Sequence, residues 1–258
     1  MIQLIDTHCH FDDPSFELDR VQVLEQMQAV GVSDLLIPAI TQASWSGIQT
    51  LCSKHVQLHA AYGLHPIYLA EHTEQHLLDL AKFIQENHAQ VLAVGECGLD
   101  FFLVDLDVQR QTALFMTQLK LAKHFDLPVV VHARRSVDAV LSCIRRVGGL
   151  RGVIHSFAGS LQQAEQLIAQ GFFLGVGGTL TYERAQRLRQ VLKTVPVEAL
   201  LLETDAPDQP DSEWRGKRNT PLRLPRIAEA LAELRACSME SIASITTANA
   251  YNLFGMRR

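Results

Sequence analysis

Short apolar runs rich in Val, Ile and Leu recur along the chain, and stretches with helical spacing separate them. Eight such runs read as strands: 3–10 (QLIDTHCH), 34–40 (DLLIPAI), 58–66 (LHAAYGLHP), 91–100 (VLAVGECGLD), 128–135 (PVVVHARR), 152–159 (GVIHSFAG), 172–181 (FFLGVGGTLT) and 200–207 (LLLETDAP). Between them, Leu18, Val21, Leu24 and Met27 fall on one predicted helix face, and Leu77, Leu80, Ala81 and Ile84 on another. QRQTALFMTQLKLAKHF is a longer helix. In SLQQAEQLIAQG, Ser160 stands where an N-cap is wanted and Gln163 completes a capping box, with Gly171 at the end. LPRIAEALAELRA and MESIASITTANAYNLF add two helices after the last strand.

Eight strand–helix units in succession predict a parallel sheet covered by helices. Eight strands is also the number that closes a barrel. The expected fold is an α/β (β/α)8 TIM barrel with an extra C-terminal helix, one domain over 1–258 without a linker. An open doubly wound sheet is the alternative, but it normally carries a glycine-rich turn after the first strand. Here that strand runs into Thr7-His8-Cys9-His10.

The chain has 258 residues, 47% hydrophobic and 20% charged, which suits a large core and argues against disorder. No apolar run approaches the ~20 residues of a membrane span. The N-terminus shows neither a basic leader region nor a cleavage site, so a cytoplasmic protein is expected. The five cysteines (Cys9, Cys52, Cys97, Cys143 and Cys237) form no C-x-x-C pair, which suits reduced thiols. The net charge of −5 disfavours tracking along duplex DNA. It leaves room for acting on a few nucleotides, with bound cations supplying positive charge locally.

In a barrel of this kind chemistry gathers at the C-terminal strand ends. His8 and His10 end the first strand, His65 the third, Glu96 the fourth, His132 and Arg134 the fifth, His155 the sixth, and Glu203 and Asp205 the eighth. Each taken alone has a structural reading, such as a hydrogen-bonded histidine or a turn-forming aspartate. Four histidines and two carboxylates converging on one mouth are explained together by a metal site. His8, His10 and Asp205 suit one divalent ion, His132 and His155 a second, and Glu96 has two oxygens to bridge them. Imidazole and carboxylate ligands fit zinc or manganese, and magnesium only with several waters. Two such ions ~4 Å apart hold a hydroxide and clamp a displacement at phosphorus. Asp205 is then the expected general base, with Glu96 as its catalytic partner.

DTHCHFD, GLHP, VGECGLD, HARR, IHSFAG, GVGGTLTY, ETDAP and RGKRNTP, taken in order over the whole chain, resemble the TatD-like metal-dependent deoxyribonucleases of the amidohydrolase-like barrel superfamily. The resemblance implies a 3′ exonuclease on single-stranded DNA. It carries the metal-ligand roles to His8, His10, Glu96, His132, His155 and Asp205. Glu96 separates the chain from superfamily members bridged by a carbamylated lysine. Phe101 and Phe102 stand where the family often has a tyrosine.

His65, Arg134 and Ser156 are candidate substrate contacts, and Trp214 and Arg215 candidate stacking residues. The glycines of 175–178 are expected to let the chain pass close to the barrel mouth. The expected partner is a DNA end, with no membrane, no obligate protein partner and a monomeric state. Two other activities use the same architecture. One is an ester or amide hydrolase such as an aminoacyl-tRNA deacylase. The other is a metal- or nucleic-acid-binding barrel without catalysis, against which Asp205, placed as a base, argues.

Overall fold

A computed structural model describes residues 2–256; Met1, where the first apolar segment begins, and the last two arginines lie outside it. Eight strands run as β1 (Leu4–Asp6), β2 (Val32–Pro38), β3 (Leu58–Tyr62), β4 (Val91–Asp100), β5 (Val129–Arg134), β6 (Gly152–Ile154), β7 (Phe172–Val176) and β8 (Leu200–Leu202). Each pairs in parallel with the next, in sequence order. Between β8 and β1 the gap is bridged by Thr7 N–H donating to Leu202 O at 3.0 Å, just past the end of β1. The fold is the expected (β/α)8 barrel.

The outer helices are α1 (Arg20–Ala29), α2 (Trp45–Lys54), α3 (Glu74–Asn87), α4 (Val108–His124), α5 (Val137–Val147), α6 (Leu161–Ala169), α7 (Gln186–Thr194) and α8 (Leu224–Arg235), followed by α9 (Met239–Phe254). Ser160 and Gln163 form the predicted capping box on α6, and Gly171 follows its end with φ +83°. The predicted face of α1 is corrected. Leu18 is fully exposed and precedes the helix, and Val21 is 66% exposed, while Val23, Leu24 and Met27 are buried. With the helix starting at Arg20, the inward stripe is 23/24/27; a spacing of three beginning at Leu18 drifts off it.

Inside the barrel a separate buried cluster takes Ile5, Leu36, Ala61, Ala93, Val130, Val153 and Leu201, one each from seven of the strands, with Phe173 of β7 packed against it. Ala250, Leu253 and Phe254 of α9 join this cluster. Thr247 Oγ1 donates to Gln3 O and the Asn249 amide to Leu200 O, which fastens α9 to the N-terminal edges of β1 and β8. The extra helix therefore covers the end of the barrel away from the strand C-termini, and the other mouth stays open.

Several strands are shorter than their apolar runs. β1 stops at Asp6, β6 at Ile154 and β8 at Leu202, so His8, His10, His155 and Asp205 lie in the connections beyond them. Ser156 (φ +46°) and Asp205 (φ +57°) are left-handed, which ends extended pairing there and turns the following chain over the mouth. No helix among the described residues is long and apolar enough to cross a membrane.

Candidate metal centre

Glu96 lies at the middle of the cluster. Its strand carries an irregularity: Val94 pairs with Val129 and Cys97 with Val131, so β4 has one residue more than β5 over this stretch. Such a bulge re-aims a side chain next to a site. Glu96 is 1% exposed. Its Oε2 lies 3.2 Å from His8 Nε2 and 3.5 Å from His10 Nε2. Its Oε1 lies 2.9 Å from His155 Nε2, 3.2 Å from His132 Nδ1 and 3.0 Å from His65 Nε2. The two oxygens thus face two separate sets of imidazoles. Asp205 Oδ1 approaches the first set, 3.5 Å from His8 Nε2 and 3.7 Å from His10 Nε2.

The structure therefore brings together all six residues assigned to the metals by sequence, with His65 as a seventh. Three groups have ligand atoms within 4.8 Å of one another: His8, His155 and Asp205; His8, His10 and Glu96; and His65, Glu96 and His132. Cys9, between the paired histidines, is buried in the core instead.

The donor set fits a divalent cation. His8 Nε2 faces His10 Nε2 at 3.4 Å, and His132 Nδ1 faces His155 Nε2 at 3.2 Å. Two ring nitrogens cannot both present lone pairs at that distance without a proton or a cation between them. Protonation patterns tell the same story. Burial alone would push the Glu96 carboxyl up, but the imidazoles of His65, His155 and His8 hold it well below the carboxylate range. Burial pulls on the His155 imidazole, yet the adjoining Glu96 carboxylate drives it up to about 10. Burial, with His155 beside it, lowers His8 to about 4.

Polar groups around the cluster fix ring orientation. His132 Nε2 donates to Asp100 Oδ2 at 2.9 Å, which leaves Nδ1 to face Glu96. His65 Nδ1 accepts the Ile67 backbone N–H at 3.1 Å, so its ring proton sits on Nε2. His65 therefore presents a donor to the site, not a lone pair. Glu203 Oε1 accepts the Ser156 N–H at 2.6 Å and stands 3.8 Å from His155 Nδ1. Burial raises its carboxyl to about 8. It fits because Gly175 has no side chain: a Cβ there would lie 2.2 Å from Glu203 Oε2. Asp6 accepts from the backbone N–H and hydroxyl of Thr204. Asp100 and Asp6 are supporting groups not expected from sequence, and Glu203 was expected at the end of the eighth strand without a role. Asp100 carried a signal, since it shares alternation parity with Glu96 along the strand.

A cavity of about 1030 Å³ opens over the cluster. His65, Arg134 and Ser156 all line it, with Arg184 and Arg187 from the segment leading into α7 and from α7 itself. Arg134 is exposed, and its guanidinium lies 3.7 Å over the Phe102 ring. Trp214 does not line this cavity. Its indole N–H donates to Arg218 O at 2.9 Å, and Lys217 and Arg223 flank its ring, so it anchors its own loop.

A (β/α)8 barrel with an imidazole–carboxylate cluster at its C-terminal mouth has the architecture of the metal-dependent hydrolases. The family model described as "TatD related DNase" matches residues 5–255, and the chain belongs to that family. It is 42% identical over 255 residues to an Escherichia coli K12 protein named "Uncharacterized metal-dependent hydrolase YjjV", covering 98% of each chain. The crystal structure of a TatD homolog, YjjV from Escherichia coli K12, superposes with a TM-score of 0.94 at 40% identity, covering 98% of each chain. An Erwinia tasmaniensis relative named "3'-5' ssDNA/RNA exonuclease TatD" is 31% identical, covering 98% of this chain and all of that one. This chain is a metal-dependent hydrolase of the TatD family.

Proposed function

We propose that the protein hydrolyses phosphodiester bonds at the 3′ ends of single-stranded DNA, using two divalent ions. The observation that carries this reading is the division of Glu96, with Oε2 toward His8 and His10 and Oε1 toward His132 and His155. His8, His10 and Asp205 would hold one ion and His132 and His155 the other, with the Glu96 carboxylate between the two sets. The nitrogen-rich donor set favours zinc or manganese over magnesium. When bound, such ions lower the pKa of water and offset charge that develops on phosphoryl oxygens.

The chain's own groups do the rest. Asp205 accepts the proton of the attacking water. His65, with its proton held on Nε2 by the Ile67 contact, gives that proton to Glu96 Oε1 at 3.0 Å at the cavity wall, where a bound phosphoryl oxygen would compete for it. Arg134 is carried on the Phe102 ring and pairs with a substrate phosphate. Ser156 supplies a hydroxyl at the cavity wall. The relative named as an exonuclease supports the choice of nucleic acid as substrate. On this reading the protein acts as a monomer in the cytoplasm, as one domain.

The test is nucleotide release from a single-stranded oligonucleotide labelled at either end, with Mg²⁺ or Mn²⁺. Stepwise loss from the 3′ end, reduced more than about 100-fold by Glu96→Ala, is expected. Turnover of carboxylic esters or amides by metal-loaded protein, with no nucleotide release, would replace the phosphodiester reading with attack at carbonyl carbon.

A further inference from the structure

Asp205 has two carboxylate oxygens, and the structure gives them different neighbours. Oδ1 faces His8 and His10. Oδ2 accepts a hydrogen bond from the side-chain amide nitrogen of Gln209. The same nitrogen donates to Ser156 Oγ at 2.7 Å. An amide nitrogen has two hydrogens, so one group saturates its donors on both acceptors. Gln209 lines the cavity over the cluster.

The backbone that presents this amide is fixed from several sides. Gln209 is left-handed (φ +47°), a conformation that persists in a non-glycine residue only where its surroundings over-determine it. Gly178 packs against it so closely that a Cβ there would lie 2.5 Å from Gln209 O. Tyr182 OH donates to Pro210 O at 2.9 Å. Asn219 donates through its backbone N–H to Pro207 O at 2.9 Å and through its side chain to Asp208 O at 2.8 Å. Asp208 N–H closes the turn onto Asp205 O at 2.9 Å. Gly178 and Tyr182 from one stretch of chain and Asn219 from another thus hold one glutamine against one carboxylate.

We propose that Gln209 is a positioning residue for Asp205: its amide holds Oδ2 and so commits Oδ1 to the histidine side of the site. The claim rests on the reading of Asp205 as ligand and base given above. Without the amide, the carboxylate is free to rotate about its terminal torsion and to exchange its two oxygens. Groups around a metal ligand that fix its orientation contribute about 10- to 100-fold in metal affinity or activity.

Gln209→Met keeps the length and volume of the side chain and deletes the donor. Gln209→Leu repeats the deletion with a different shape should the methionine variant fail to fold. Mn²⁺ affinity is measured by competition with a chromogenic chelator, alongside kcat and KM on bis(p-nitrophenyl) phosphate. The expected result is a roughly tenfold loss of Mn²⁺ affinity and a roughly tenfold fall in kcat with KM unchanged. The melting temperature of the metal-free variant should match that of the metal-free parent. Unchanged affinity and kcat would overturn the proposal. So would a lowered metal-free melting temperature with affinity intact, which marks a purely structural glutamine. If neither protein turns over the phosphodiester, the proposed function fails, and the affinity comparison still decides the role of Gln209.

Discussion

Asp100 Oδ2 receives the Nε2–H of His132 at 2.9 Å, and this one contact determines which nitrogen of His132 faces Glu96. Burial would raise the Asp100 carboxyl, and its hydrogen bond from His132 instead holds it below its usual value. Asp100→Asn should weaken Mn²⁺ binding about 10- to 100-fold, because an amide can donate to the ring nitrogen and favour the opposite tautomer. Chelator competition measures it; equal affinity in variant and parent would remove Asp100 from the site.

Metal affinity should rise with pH. His155, beside Glu96, is driven up to about 10, so the metal-free cluster holds a proton at neutral pH that a bound cation must displace. Calorimetry in buffers of different ionisation enthalpy should register proton release on Mn²⁺ binding.

The same groups set the stability of the metal-free protein. A raised folded pKa gives stability that is present below the unfolded value and is lost as pH rises through the folded one. For His155 that window runs from 6.5 to about 10. Glu203 and Asp6, raised by burial to about 8 and about 7, lose stability in the same direction at lower pH. The gap in melting temperature between metal-loaded and metal-free protein should therefore widen from pH 6 to pH 9, read by thermal denaturation at each pH. A constant gap would contradict this.

Phe102 should matter through Arg134. Phe102→Leu removes the ring beneath the guanidinium, a contact of about 0.5–1 kcal/mol at an exposed site, and should raise KM for an oligonucleotide about 2- to 5-fold at constant kcat. Arg134→Ala should do the same and also flatten the salt dependence of binding by about one phosphate contact.

The loop after Asp205 depends on a half-buried ion pair. Asp211 is fully buried and meets Arg223 through two hydrogen bonds, Nε to Oδ2 at 2.6 Å and Nη2 to Oδ1 at 3.0 Å. Arg223→Ala leaves that carboxylate with the Glu213 backbone N–H but no guanidinium and should cost about 1–3 kcal/mol in chemical denaturation. Adding Asp211→Asn should recover part of the loss.

The barrel was legible because eight apolar runs alternate with helical spacing, and a parallel sheet buried on both faces needs such runs. The six proposed ligands were legible because each ends a run, where the topology must gather them. Strand lengths were not. The apolar runs through His155 and Asp205 continue past the point where left-handed residues turn the chain, and apolarity does not report φ. The face of α1 was misplaced because Leu18 keeps helical spacing without belonging to the helix. Gln209 was illegible for a different reason. It sits in a loop of polar residues, and its importance depends on Gly178, Tyr182 and Asn219 meeting around it, contacts between distant parts of the sequence.

The most direct measurement is the number of ions bound per chain, counted by elemental analysis after equilibration with Mn²⁺ or Zn²⁺ and removal of free metal, in the parent and in Glu96→Ala. The account predicts two ions per chain in the parent and fewer than two in the variant, since the carboxylate that faces both histidine sets is gone. One ion per chain in the parent, or two in both proteins, would contradict the bridging role of Glu96.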